Sequence, residues 1–262
     1  MDGSGGGLCW MRGDVETHPA LANKKSASSA PVMLDFFAAI SEENVARTEF
    51  AMALERRIKQ AYRHSPHRHG WRLLYSPEDV LDGSKVAFIG LNPGGSFESP
   101  DHAEFAMPKG SAYVDEVWPS SSRLQQEALA LFERLGIAPE AVLAGNLVPF
   151  RSPDWKSLAE RRKAQAFGEE IWGAILDRAC PRCVVTFGSV ANDAVRVLLG
   201  VSNPKFIPVR WGDMTAQRGE FERTASHGTW SGTWIGMPHL SRFTVMTRPA
   251  SRAAIDVLFE GL

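Results

Sequence analysis

Four short apolar, β-rich runs in this 262-residue chain lead into residues that can do chemistry. Lys85–Leu91 runs into Asn92-Pro93-Gly94-Gly95, and Ala141–Leu147 carries Asn146 near its end, before Pro149. Val184–Phe187 gives way to Gly188-Ser189, and Thr233–Met237 to Pro238-His239. An asparagine amide holds both donors and acceptors, so Asn92 can orient a water, although it cannot act as a strong base. Asn146 offers the same pair of functions to a polar ligand edge. A neutral imidazole at His239 can donate a hydrogen bond to an oxygen that gains negative charge. At Gly188-Ser189 a helix opens, where unpaired N–H groups and the helix dipole favour an anion such as phosphate.

The elements that must place these groups alternate along the chain. Phe50, Leu54, Ile58 and Ala61 recur at helical spacing, as do Leu124, Ala128, Leu131 and Leu135 before Gly136. Phe167, Ile171 and Ile175 mark a third helix, Gly188-Ser189 opens a fourth that runs to Leu199, and a last one spans about Pro249 to Phe259. Strands alternating with helices predict an α/β fold, a three-layer sandwich with a central, mainly parallel four-stranded sheet flanked by helices. Ligands of such sheets bind beyond the carboxyl ends of the strands, where Asn92, Asn146 and His239 are expected.

Composition sets outer limits. With 44% hydrophobic, 23% charged and 10% aromatic residues the chain is not collagen-like, wholly disordered or a coiled coil. No apolar stretch approaches the ~20 residues of a membrane span. A formal charge of −1 leaves any basic surface local. Residues 1–30, rich in Gly and Ser, read as a disordered tail without signal-peptide pattern, and residues 31–262 as a single domain with an N-terminal helical extension over about 31–79. Three cysteines cannot build a secreted disulfide framework, so an intracellular chain is expected, in cytoplasm, nucleoid or nucleus; a monomer is expected as well. Cys180-Pro181-Arg182-Cys183 has CxxC spacing without a second pair, and Cys183 is expected to be buried at a strand start. His64, His67 and His69 have no adjacent acid or cysteine and read as a solvated loop, so no metal and no cofactor is expected.

Gly90-Leu91-Asn92-Pro93-Gly94 after a strand resembles the first motif of the uracil-DNA glycosylase superfamily, nearest its single-strand-selective monofunctional and mismatch-specific branches. Asn146-Leu147-Val148-Pro149-Phe150 is similar to the second strand end, Val184–Ala191 to the strand–Gly–helix segment, and Pro238-His239-Leu240-Ser241 to the His-Pro-Ser motif. Phe105, thirteen residues after Asn92, stands where the family carries the aromatic that stacks on a flipped base. Leu240 replaces the motif's proline, and a shifted register would put Gly236 at the histidine and Leu240 at the intercalating leucine. The iron–sulfur branches need four cysteines, one more than this chain has.

The resemblance implies hydrolysis of the N-glycosidic bond of uracil, or of a related damaged or mismatched pyrimidine, in DNA. Asn92 and His239 would be catalytic, Gly90, Phe105 and Asn146 base-binding, and Ser189, Leu240, Ser241 and Arg242 would contact DNA. Trp118 and Trp155 are either pocket walls or packing. No lysine occupies a motif position to form a Schiff base, which favours a monofunctional enzyme. A G·U/G·T mismatch enzyme, a catalytically silent nucleic-acid-binding member of the fold, and a hydrolase of free nucleosides or nucleotides are the alternatives.

Overall fold

The structure is a computed structural model that describes residues 48–94, 103–118, 122–226 and 228–262. The expectations for residues 1–47 therefore lie outside the described residues. Helix α1 (Glu49–Arg63) starts at Thr48, whose side chain accepts the Ala51 N–H, and buries Ala51, Leu54 and Ile58. A two-stranded parallel ribbon joins β1 (Trp71–Arg72) to β3 (Ala103–Glu104).

The main sheet has six strands. Four are parallel neighbours: β4 (Leu143–Asn146), β2 (Val86–Gly90), β5 (Cys183–Phe187) and β8 (Gly228–Met237), in that order. They are the four strands read from the sequence. β7 (Thr215–Ala225) and β6 (Lys205–Pro208) then extend the sheet antiparallel beyond β8, so it is mixed and two strands wider than expected. β7 is polar and half-exposed, and β6 is a four-residue, mostly exposed segment ending in Pro208, so neither gives a long buried apolar run to read.

Side-chain alternation assigns the two faces. From β2, Ala87 and Ile89 join a core with α1, α4 (Arg161–Ala179) and α5 (Ser189–Leu198). Val86 and Phe88 join the opposite core with α3 (Arg123–Arg134) and α6 (Arg252–Leu258). The short helix α2 (Ala112–Asp115) adds Tyr113 to the second core. Helices thus cover both faces of a central sheet, the expected three layers. Cys183 is buried at the start of β5, and burial pushes its thiol up to about 12. His67 corrects the solvated-loop expectation: it is buried and stacks on Phe150 at 4.3 Å.

No helix among the described residues is long and apolar enough to cross a membrane. Among the described residues, no group of three His, Cys, Asp or Glu is placed to hold a metal ion.

Candidate active site

Register brings the strand ends level. Gly90 pairs with Asn146, Ile89 with Thr186, and Phe187 with Met237, so four carboxyl ends open on one rim. Gly90 has no side chain there for a steric reason. A Cβ on it would lie 2.7 Å from Asn146 Oδ1 and 2.8 Å from Phe187 Cζ. The missing methyl lets the Asn146 amide and the Phe187 ring cross the end of β2.

Asn146 is held by its backbone and left open at its side chain. Its N–H donates to the Leu73 carbonyl at 3.2 Å, and its carbonyl accepts the Trp172 indole N–H at 2.7 Å. Its residue is only 6% exposed, yet the buried Nδ2 makes no well-formed hydrogen bond, the Tyr75 hydroxyl being a polar group beside it. Buried amide groups are ordinarily satisfied, so an orphan donor at the strand ends is the mark of a ligand site. Tyr75, half-buried nearby, has its hydroxyl pKa raised by burial, an effect opposed by Arg72 and then by the Asn146 side chain beside it.

Asn92 is oriented instead. Its Nδ2 donates to Ser152 Oγ at 2.8 Å and to the Pro93 carbonyl at 3.2 Å. Ser152 is 2% exposed and gives its own hydroxyl hydrogen to the Asp154 carbonyl at 2.7 Å. Both groups facing Nδ2 are therefore acceptors, which fixes the amide with Oδ1 turned away from them. That oxygen is an acceptor suited to orienting a water.

His239 follows directly on β8. Its ring lies 3.1 Å, at Cδ2, from where a Cβ on Gly188 would be, and meets Phe187 edge-on at 6.0 Å. Nδ1 is 2.8 Å from Ser241 Oγ. Burial lowers the imidazole pKa from its ordinary value, and the charge of Arg242 lowers it further, so the ring is neutral near pH 7.

Comparison with known families decides the lineage of this rim. A model of the uracil DNA glycosylase superfamily matches residues 77–261. The chain belongs to the uracil DNA glycosylase superfamily. No curated protein matches it. Membership of this superfamily supports DNA glycosylase-type chemistry in base excision repair, with DNA as the substrate.

Against the superfamily's pattern some carried-over residues are placed differently. Leu240 is 0% exposed and packs in the α3/α6 core, so as positioned it is a core residue and not a wedge into the base stack. Gly236 lies inside β8, paired with Thr186 and Gln217, and a Cβ there would meet the Trp234 ring at 2.7 Å. It is not at the strand exit, where His239 stands. Phe105 is 6% exposed in the core cluster that holds Leu73, Leu74 and Phe150, two strands from β4 through Leu74. Its ring belongs to that core. The ring that closes on Gly90 and Asn146 is that of Phe187, stacked on Phe88 at 4.8 Å.

Ser189 is exposed as the first residue of α5, and the cap itself is Gly188, at φ +89°. Arg242 is exposed beside the histidine turn. Trp118 is tied to Glu116 through its indole N–H at 2.9 Å, which makes it part of the packing around Arg72.

Four supporting residues were not singled out from the sequence: Ser152, Tyr75, Thr186 and Asn192. The last two brace the rim from below. Thr186 Oγ1 donates to Asn192 Oδ1 at 2.7 Å and accepts from the Trp234 indole at 3.1 Å. Asn192 Nδ2 then donates to the Met237 carbonyl at 2.9 Å, fixing the last residue of β8 before Pro238-His239.

Proposed function

We propose that the protein is a monofunctional DNA glycosylase that hydrolyses the N-glycosidic bond of uracil, or of a closely related damaged pyrimidine, and leaves an abasic site. The observation that carries this reading is the buried Nδ2 donor of Asn146 at the strand ends, which makes no well-formed hydrogen bond within the protein. Uracil presents O4, an acceptor, next to N3–H, a donor, and one amide satisfies both. Cytosine reverses the pattern and would leave polar groups buried and unpaired, a strong basis for discrimination.

The reacting bond is inaccessible in stacked DNA, so the nucleotide must leave the helix to reach the rim. As the C–N bond breaks, positive charge develops on the sugar and negative charge on the base. His239 donates from Nε2 to the pyrimidine O2 as that charge grows. This requires the Nε2–H tautomer, which Ser241 supports by giving its hydroxyl hydrogen to Nδ1. The Ser241 hydroxyl is then committed to His239, and phosphate contacts fall to Ser189 and Arg242. Asn92 Oδ1 holds the attacking water, which adds to the sugar once the base has largely departed. A carboxylate is not required for so dissociative a step.

The test is a labelled oligonucleotide with one uracil, treated with the protein and then with alkali. Scission at the uracil is expected, and single-stranded U, U·A, U·G and T·G substrates would separate the uracil-directed reading from a mismatch-directed one. Intact strands on every substrate, with DNA binding retained, would identify a silent binding module; activity on nucleosides alone would identify a nucleoside hydrolase.

A further inference from the structure

Helix α3 sends two oppositely charged side chains into the segment that follows His239. Arg123 donates from Nη1 to the Arg242 carbonyl at 2.5 Å and lies 3.5 Å from the Ser241 carbonyl. Glu127, one turn later on the same helical face, is 0% exposed. Its Oε2 accepts the backbone N–H groups of Val245 and Met246, both at 2.6 Å. Its Oε1 accepts the N–H of Thr247 at 3.2 Å and the Thr247 hydroxyl at 2.5 Å.

A buried carboxylate is costly unless its oxygens are well satisfied. Here it sits in the apolar stripe of α3, between Leu124 and Ala128 and one turn before Leu131, where an aliphatic side chain would serve packing without that cost. What the carboxylate provides is a fixed conformation for three successive residues. The intervening chain is tight as well: the His239 carbonyl accepts the N–H groups of Arg242 at 2.8 Å and Phe243 at 3.0 Å. Leu240 and Val245 anchor it apolarly, both fully buried. From residue 240 to 247 the segment is thus gripped by packing, by Arg123 on its carbonyls and by Glu127 on its N–H groups.

We propose that Arg123 and Glu127 are positioning residues that hold the His239–Ser241 pair in working geometry over the strand ends. This rests on the reading of His239 given above. Neither side chain touches the base or the reacting atoms; both act through the backbone they hold.

The test compares Arg123→Met, Arg123→Lys and Glu127→Gln with the parent protein. Arg123 is exposed, so its replacement by Met removes the donors with little threat to folding. Glu127→Gln keeps the shape but turns one acceptor into an N–H₂ group that faces other donors. Single-turnover excision from single-stranded uracil DNA is measured at saturating protein, with DNA Kd and the imidazole ¹H–¹⁵N signals of His239 recorded alongside. The expected losses are about tenfold for Arg123→Met and larger for Glu127→Gln, as misplacement of a catalytic group predicts. Arg123→Lys recovers part of the rate, Kd changes little, and the His239 signals shift. In a His239→Ala background neither α3 variant lowers the rate further. Wild-type rates and unshifted imidazole signals in both α3 variants, with His239→Ala impaired, overturn the inference. An unchanged rate in His239→Ala itself overturns the underlying reading of His239 and the catalytic consequence drawn for α3.

Discussion

Replacing Ser152 by alanine isolates the orientation of Asn92 from its presence. In the parent protein the Asn92 N–H₂ group meets two acceptors, Ser152 Oγ at 2.8 Å and the Pro93 carbonyl at 3.2 Å. Turning the amide over would lose both bonds and set oxygen against oxygen. With a net value of about 1 kcal/mol per hydrogen bond, the turned amide is a minor species. Ser152→Ala leaves only the longer contact and removes about 1 kcal/mol of that bias, close to a fivefold change in population. The same substitution removes the donor that Ser152 gave the Asp154 carbonyl at 2.7 Å; Asp154 is exposed and water can take its place, so the accompanying stability loss is about 1 kcal/mol or less. The oriented fraction itself falls by less than about twofold, but losing the shorter tether also lets Oδ1 wander. Misplacing a catalytic group by ~1 Å can cost ~10²-fold, so single-turnover uracil excision below the melting range should fall roughly three- to tenfold, with DNA affinity unchanged. Asn92→Ala should lose about 10²-fold or more, and the double variant should be no worse than Asn92→Ala alone, since the two side chains act as one unit. An unchanged rate in Ser152→Ala, or an equal loss with and without Asn92, would refute the orienting role.

Gly90→Ala places a methyl 2.7 Å from Asn146 Oδ1 and 2.8 Å from Phe187 Cζ. Both must shift, at about 1–3 kcal/mol, and chemical denaturation together with excision assays should show losses in stability and in rate. Leu240→Ala, which empties a fully buried site, should cost about 2–5 kcal/mol in unfolding free energy and slow single-stranded U and U·A substrates equally. A U·A-selective defect without loss of stability would restore the wedge role. His239 titrates below its ordinary 6.5 because of burial first and Arg242 second, so Arg242→Met should raise its pKa in an NMR titration while burial keeps it below 6.5. The folded state resists protonation here, so the unfolded chain binds more protons. Stability is complete above 6.5 and falls as pH drops towards the lowered folded value, with His67, also lowered by burial, adding to the same trend.

The four parallel strands and the flanking helices were legible because burial on both faces forces short apolar runs, and because helical stripes such as Leu124, Ala128 and Leu131 repeat cleanly. β7 was not legible. Its segment Thr215–Ala225 alternates charged and small residues, since one face of a sheet margin is half-exposed. Asn92, Asn146 and His239 could be read as polar residues where strands stop. Their supports could not: Ser152 reaches Asn92 across 60 positions and Glu127 reaches Val245 across 118. Only Glu127 left a local trace, as an acid inside an otherwise apolar stripe. Leu240 and Phe105 were placed by motif offset, which carries no information on burial; in the structure both are core.

The measurement that bears most directly on the central claim uses two oligonucleotides that differ only in carrying uracil or cytosine at one position. Single-turnover excision rates are compared for the parent protein and for Asn146→Asp, which replaces the orphan donor by an acceptor. If the Asn146 amide reads the pyrimidine edge, the parent protein excises uracil and spares cytosine, and Asn146→Asp loses both the uracil rate and most of that selection. A parent protein that cleaves neither strand, or a variant that keeps both the rate and the preference for uracil, would contradict it.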